Sequence, residues 1–121
     1  MPRVIHFEFA ADNPERAVKF YQSVFGWKIE NWGQQDYWLI TTGPDGEPGI
    51  NGAIQRRKDT PAAVINTVGV PSVDDFAKKV VKAGGKIITP KTPIPGVGYF
   101  AYCQDTEGIV FGIMQSDPTA K

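Results

Sequence analysis

One order of predicted elements occurs twice along this chain of 121 residues: a strand, a capped helix that ends at glycine, and three more strands. The first copy spans about residues 3–56 and the second about residues 62–115. A repeated order of this kind is typical of folds built from duplicated supersecondary units. Because two units of about 55 residues each would bury too little surface alone, we expect them to fold together as one α+β domain over residues 1–121.

The start of the chain alternates between two kinds of side chain, which predicts a strand because neighbouring side chains point to opposite faces. Ile5, Phe7 and Phe9 form an apolar face, which we expect to pack against a helix. His6 and Glu8 lie on the other face. That second face must therefore line a pocket, an interface or solvent.

The helix of each copy is bounded by residue types that favour helix ends. Asn13 and Pro14 suit the start of the first helix, and Gly26 suits its end. Ser72 suits the start of the second helix, and two glycines at 84–85 suit its end. The predicted strands, with the one at the start of the chain, are residues 3–10, 27–32, 37–42, 50–56, 63–70, 86–89, 99–104 and 109–115. Residues 33–36, 43–49, 57–61 and 90–98 are predicted turns or loops, and residues 116–121 are predicted to fray.

Charge and composition exclude several classes of protein. The chain has 13 Lys and Arg against 13 Asp and Glu, so it lacks the basic excess expected of a nucleic-acid binder. It has no basic amphipathic stretch, no long apolar run and no signal-peptide pattern near its start. We therefore expect no nucleic-acid partner, no membrane association and a cytoplasmic location.

The chain is also poor in side chains that hold metals or act as nucleophiles. It has one His and one Cys. Cys103 has no second cysteine to form an internal disulfide and no second histidine to activate it, so we expect a small buried apolar residue there. Few metal or nucleophile–base sites are possible with this set.

Several segments resemble the vicinal oxygen chelate superfamily, which includes glyoxalases, bleomycin-resistance proteins and extradiol dioxygenases. Residues 4–27 resemble the family's first strand and the end of its helix, with the letters FY and FGW. Residues 82–86 resemble the second helix end, and residues 99–112 resemble the last hairpin, with the letters DTEGIVFG. The resemblance implies two βαβββ modules whose mixed sheets form a cupped half-barrel, and it implies a homodimer.

Metal-dependent members of that superfamily place four ligands on the concave strands. By resemblance the first falls on His6, the second near Asn51, the third on Ile65 or Asn66, and the fourth on Gly112. Only the first of these positions carries a strong donor, whereas a catalytic metal needs about three. We therefore expect no glyoxalase-type metal centre and no cofactor. The alternative left open is a divalent ion at His6, where Glu8 would supply a second ligand.

The candidate catalytic residues are His6 and Glu8, since a carboxylate beside an imidazole suits acid–base chemistry. Their direct contact depends on their rotamers. The candidate ligand-binding residues, expected to line the cup, are Trp38, Asn51, Asn66, Tyr99 and Tyr102.

Three functions remain open from the sequence. The first is a metal-free protein that binds a small organic molecule, as drug-sequestering resistance proteins do. The second is a glyoxalase-like lyase, isomerase or related enzyme that acts on a small oxygenated substrate through His6 and Glu8. The third is an interaction module without a small ligand. Fold resemblance does not choose among them, because one scaffold hosts many chemistries.

Overall fold

The computed structural model describes residues 1–33, 35–58 and 60–121. Gln34, in the predicted turn at 33–36, and Asp59, in the predicted connector at 57–61, lie outside the described residues. The chain divides into two compact units. The first unit is His6–Ile65, and the second unit combines Met1–Ile5 with Asn66–Lys121.

The first unit contains a mixed sheet and one helix. Its elements are β1 (Arg3–Ala11, which enters this unit at His6), α1 (Pro14–Phe25), β2 (Lys28–Asn31), β3 (Tyr37–Thr41) and β4 (Asn51–Arg56). The strand order is β2-β3-β4-β1. Neighbours pair antiparallel except β1 and β4, which run parallel.

The sequence signals for α1 act as predicted. The Asn13 side chain accepts a 3.0 Å hydrogen bond from the Arg16 backbone N–H, and Pro14 lies in the first turn. Gly26 ends the helix with φ 70°, a left-handed conformation that glycine adopts without strain.

One face of this sheet packs against α1. The aromatic rings of Phe9 and Tyr21 stack 5.3 Å apart, and Phe7 packs on the same core. The predicted contact between the odd face of β1 and a helix is therefore confirmed for Phe7 and Phe9. Buried Ile29, Ile40 and Ile54 complete this core, together with half-buried Ala11, Ala17, Val18, Trp27 and Trp38.

The second unit also has a mixed sheet and one helix. Its elements are β5 (Val64–Gly69, which enters this unit at Asn66), α2 (Val73–Lys82), β6 (Lys86–Ile87), β7 (Thr92–Ile94), β8 (Gly98–Gln104) and β9 (Val110–Ser116). The order is β5-β9-β8-β6, with β7 paired to β8. Strands β5 and β9 are parallel, and the pairs involving β8 are antiparallel.

The core of the second unit lies between its sheet and α2. Ser72 caps the helix by accepting a 3.1 Å hydrogen bond from the Asp75 backbone N–H, as predicted. Cys103 is fully buried, and burial raises the pKa of its thiol. The prediction that Cys103 is a buried apolar residue is confirmed. The other buried members of this core are Val70, Val73, Ala101 and Ile113.

Two predictions for the second unit were wrong. Residues 90–98, predicted as a loop, contain β7, which pairs antiparallel with β8. Residues 116–121, predicted to fray, are fixed at two points: the Gly96 N–H donates to the Ala120 carbonyl at 2.9 Å, and the Asp117 N–H donates to the Val97 carbonyl at 2.9 Å. Ala120 is only 5% exposed.

Among the described residues, neither helix has the length and apolar character that crossing a membrane requires.

Candidate functional site

The strand register brings polar side chains together on the sheet face of the first unit that is opposite its apolar core. His6 pairs with Asn51 across β1 and β4, and Glu8 pairs with Ala53. Tyr37 on β3 pairs with Gln55 on β4. Because side chains alternate along each strand, His6, Glu8 and Tyr37 share one face, whereas Phe7, Phe9 and Trp38 share the other.

Tyr37 connects the two predicted catalytic residues. Its hydroxyl donates a 2.9 Å hydrogen bond to Glu8 Oε2 and lies 3.4 Å from His6 Nε2. The hydroxyl has one hydrogen, directed to Glu8, so its lone pairs face the imidazole. We call His6, Glu8 and Tyr37 the Tyr37 cluster.

Burial sets the protonation of the Tyr37 cluster. Glu8 is 8% exposed and His6 is half-buried. Burial lowers the pKa of His6, because an imidazolium loses hydration there, while the negative charge of Glu8 partly opposes this shift. The histidine is therefore neutral at neutral pH, with one ring nitrogen able to donate and the other able to accept a hydrogen bond.

Ion pairs fix the start of β3 beside the cluster. The Asp36 carboxylate contacts Arg56 Nε at 3.2 Å and Lys58 Nζ at 3.1 Å. Hydrogen bonds from Lys58 and Arg56 lower the pKa of Asp36. Exposed ion pairs add little stability singly, but these orient the residue directly before Tyr37.

Two of the predicted ligand-binding residues lie in the first unit, and neither joins the cluster through its side chain. Trp38 packs with the apolar core on the opposite face of the sheet. Asn51 lies beside His6, but its Oδ1 accepts hydrogen bonds from Thr42 N at 3.0 Å and Thr42 Oγ1 at 3.3 Å.

The other three predicted ligand-binding residues lie in the second unit. Asn66 is exposed and shares its strand face with Val68, which packs on the core beside α2. Tyr99 packs on the same core, with Lys91 Nζ 4.5 Å from its ring centroid. Tyr102 lies on the opposite face of β8, where its ring contacts Phe100 edge-on at 5.4 Å. The side chains of Tyr99 and Tyr102 therefore lie on opposite faces of the sheet.

The residues present do not fit a glyoxalase-type metal centre. At the third position Ile65 supplies no donor and its alternative, the exposed Asn66, supplies only an amide, while the Asn51 oxygen is already bonded to Thr42. A Cβ added at Gly112 would lie 2.9 Å from Thr67 Oγ1, so buried Thr67 fills the space that a longer side chain would need. In the part of the chain that the structure describes, no three His, Cys, Asp or Glu side chains form a group that could hold a metal ion.

Sequence reasoning missed Tyr37 as a site residue. A usable signal was present, since Trp38 and Ile40 are the apolar side of β3 and Tyr37 must then face the other way. The sequence did not predict that β3 and β1 both pair with β4, and this pairing brings the tyrosine hydroxyl to Glu8.

Comparisons with known proteins agree on one family. Residues 3–113 match the model of the Glyoxalase/Bleomycin resistance protein/Dioxygenase superfamily. Proteins of Mycobacterium bovis and Mycobacterium tuberculosis that carry the provisional name glyoxylase CFP32 are 30% identical to this chain over 115 residues. The match covers 92% of this chain but only 43% of those proteins, so the chain spans less than half their length.

Solved structures of low sequence identity share the fold. A methylmalonyl-CoA epimerase in complex with methylmalonyl-CoA and NH4+ has a TM-score of 0.69 at 15% identity, covering 100% of this chain and 99% of that one. The Streptomyces coelicolor methylmalonyl-CoA epimerase in complex with 2-nitronate-propionyl-CoA has a TM-score of 0.68 at 16% identity, covering 98% and 97%. The hypothetical protein BH1468 of Bacillus halodurans has a TM-score of 0.69 at 13% identity, covering 99% and 98%.

These likenesses confirm the predicted glyoxalase-like α+β fold, and the family match confirms the resemblance seen in the motifs. The chain belongs to the Glyoxalase/Bleomycin resistance protein/Dioxygenase superfamily.

Proposed function

We propose that this protein binds a small oxygen-bearing organic molecule at the Tyr37 cluster without a resident metal ion. One observation carries the proposal: the Tyr37 hydroxyl is held between Glu8 and His6 at 2.9 Å and 3.4 Å. This arrangement gathers a carboxylate, a hydroxyl and a neutral imidazole on one sheet face. Such a set can accept a hydrogen bond from a hydroxyl of a ligand, and it can donate one to a carbonyl oxygen when that oxygen replaces Glu8 as the acceptor of the Tyr37 hydroxyl.

The metal-free part of the proposal is supported by the chemistry of the available donors. His6 and Glu8 are two candidate ligands, one fewer than a catalytic divalent ion commonly takes from protein. The positions that would complete the set by resemblance offer no strong donor: Asn51 is bonded to Thr42, Ile65 is apolar, its alternative Asn66 is an amide, and Thr67 fills the space beside Gly112.

A thermal-shift screen with lactate, dihydroxyacetone, acetoacetate, catechol and aromatic antibiotics tests ligand binding. We expect at least one compound to raise the Tm of the wild type and of Tyr21→Phe, but not that of Tyr37→Phe. Tyr21 is a matched control because its ring stacks in the core between Phe9 and Trp27. Equal shifts in Tyr37→Phe would contradict binding at the Tyr37 cluster, and a complete lack of shifts would favour an interaction module.

Elemental analysis of protein purified without chelator tests the metal-free part. We expect far less than one divalent ion per chain. A stoichiometric ion that disappears in His6→Ala would contradict the proposal.

A second candidate is an isomerase, lyase or related enzyme that moves a proton at the same site. Buried Glu8, hydrogen-bonded to Tyr37, favours it, because such a carboxylate can take a proton from carbon while a nearby donor stabilises the adjacent carbonyl oxygen. The names of the mycobacterial relatives and of the epimerase structures are consistent with chemistry of this kind.

Deuterium incorporation separates the two candidates. In D2O, an enzyme of this kind would exchange the C–H hydrogens of dihydroxyacetone for deuterium, which proton NMR detects. Exchange by wild type and by Glu30→Gln, but not by Glu8→Gln, would establish the enzyme. A lack of exchange above the protein-free rate, for every compound that binds, would favour binding alone.

The expected homodimer and cytoplasmic location stay predictions, which light scattering and cell fractionation would test.

A further inference from the structure

Gln55 carries a buried amide nitrogen that has no hydrogen-bond partner among the residues that the structure describes. In the described ranges, the buried side-chain polar atoms of this kind are Gln55 Nε2 and Thr60 Oγ1. Almost all buried donors in proteins find a partner, so an unsatisfied one needs an explanation. The Gln55 nitrogen has lost its hydration, which lowers the stability of the folded protein until a ligand or a water molecule accepts its hydrogen bond.

The register places Gln55 on the face of the Tyr37 cluster. On β4 it pairs with Tyr37 on one side and with Ala10 on the other. Its neighbour Ile54 belongs to the apolar core, so Gln55 points to the opposite face. Three sets of cross-strand partners follow one another along that face. The first contains His6, the second contains Glu8, and the third contains Gln55 and Tyr37.

We propose that the Gln55 side-chain amide is a second recognition point of the same site and donates a hydrogen bond to a carbonyl oxygen of the ligand. This inference rests on the proposed function and extends it. One ligand oxygen is held at the Tyr37 cluster and another at Gln55. The ligand class is therefore a small molecule with two oxygen functions.

The distance between Glu8 and Gln55 along the sheet limits the size of the ligand. Glu8 pairs with Ala53, which lies two residues before Gln55 on β4. Two residues along a strand span about 7 Å. A chain of about five carbons bridges such a span. The ligand must also displace the atoms that now cover the amide.

The charges around this face favour an uncharged second group. Glu8 would repel a further carboxylate. Lys28 of the same face is ion-paired with Glu30 at 3.3 Å. Arg56 follows Gln55 on the strand, so it points to the other face, and it is ion-paired with Glu15 and Asp36. A neutral amide donor then fits a carbonyl oxygen better than it fits an anion.

Two matched compounds test the proposal. Pentanediamide and pentanamide share five carbons and differ by one amide group, and neither is charged. Their affinities are measured by NMR titration of the wild type, Gln55→Met and Gln22→Met. Gln22 is an exposed residue of α1, so its variant repeats the chemical change away from the site.

We expect the diamide to bind wild type and Gln22→Met about tenfold more tightly than the monoamide, as one added hydrogen bond implies. Gln55→Met should abolish this preference. The side-chain N–H signals of Gln55, identified by their loss in Gln55→Met, should shift with the diamide and not with the monoamide.

Other outcomes overturn the proposal in distinguishable ways. Equal affinities of both compounds for the wild type, or a preference retained in Gln55→Met, would refute the role of Gln55 and leave the Tyr37 cluster as a binding site. Failure of both compounds to bind the wild type would refute the ligand class and count against the proposed function as well.

Unfolding of the ligand-free protein provides a readout that needs no ligand. Met in place of Gln55 removes the unpartnered nitrogen without adding a polar atom, so the Tm of Gln55→Met should stay close to or above that of the wild type. The nitrogen itself is tested by the Gln55 side-chain N–H proton signals of the ligand-free wild type: a downfield position typical of a hydrogen-bonded amide would show that the nitrogen already has a partner and would overturn the proposal.

Discussion

The Tyr37 hydroxyl donates a 2.9 Å hydrogen bond to Glu8 Oε2, although the two residues are 29 positions apart in the sequence. The bond joins β3 to β1 across the intervening strand β4. It ties a carboxylate that has little contact with water to an uncharged donor. The polarity of the candidate site and the cohesion of the first unit therefore depend on the same bond.

Replacing Tyr37 with Phe removes this donor and leaves the Glu8 carboxylate less well satisfied. We expect the free energy of unfolding to fall by about 1–3 kcal/mol, the usual cost for a buried group that loses a hydrogen bond. Urea unfolding at pH 7.5 measures the change. Tyr21→Phe should cost less than about 0.5 kcal/mol, and equal losses in both variants would contradict the assignment.

The lowered pKa of His6 makes stability depend on pH. An unfolded histidine titrates near pH ~6.5, while the folded His6 titrates at a lower pH because burial opposes its charge. As the pH falls below 6.5, the unfolded state takes up the proton first, so stability is lost until the folded pKa is passed. The contribution of His6 is fully present above pH ~6.5.

Urea unfolding between pH 7.5 and pH 5 measures this dependence, with His6→Gln as the comparison. The variant should lose less stability on acidification than the wild type. Since the chain has one histidine, its ring proton signal in NMR gives the folded pKa directly. A value at or above that of an exposed histidine would contradict the burial of His6.

Glu8→Gln tests the electrostatic link inside the Tyr37 cluster. The negative charge of Glu8 raises the pKa of His6 against the effect of burial, so its removal should lower that pKa further. NMR titration of the His6 ring measures the shift. Glu30→Gln, which removes an exposed charge paired with Lys28, should leave the His6 pKa unchanged.

Thr67 and Gly112 should be energetically coupled. Alanine at Gly112 would place its Cβ 2.9 Å from Thr67 Oγ1, so the single variant should be destabilised by about 1–3 kcal/mol. In a Thr67→Ala background the same change should cost at least about 1 kcal/mol less, because the clash is gone. Gly43→Ala, whose Cβ would lie 3.6 Å from Glu47 Oε2, serves as a near-neutral control. Additive effects in the double variant would rule out the contact.

Local sequence signals predicted the features that depend on neighbouring residues. Asn13, Gly26 and Ser72 mark helix ends because their own hydrogen bonds and backbone conformations do so. The shared face of His6 and Glu8 followed from alternation alone. These signals, taken in order, were enough to predict the fold and its family.

Features that depend on distant partners could not be read in this way. The role of Tyr37 required the pairing of three strands. Strand β7 contains Pro93 and is held by pairing with β8, which no local preference indicates. Tyr99 and Tyr102 are three residues apart on one strand, so alternation already implied opposite faces, although both were predicted to line the cup.

The contacts of residues 116–121 tie this segment to an internal loop of the chain. Ala120 lies buried and its carbonyl accepts the Gly96 N–H. A proteolytic cut between Asp117 and Ala120 would take away the acceptor that holds Gly96. The segment around Pro95 would then be open to a second cut, so partial degradation of this protein should begin at two distant points of the sequence that are neighbours in space.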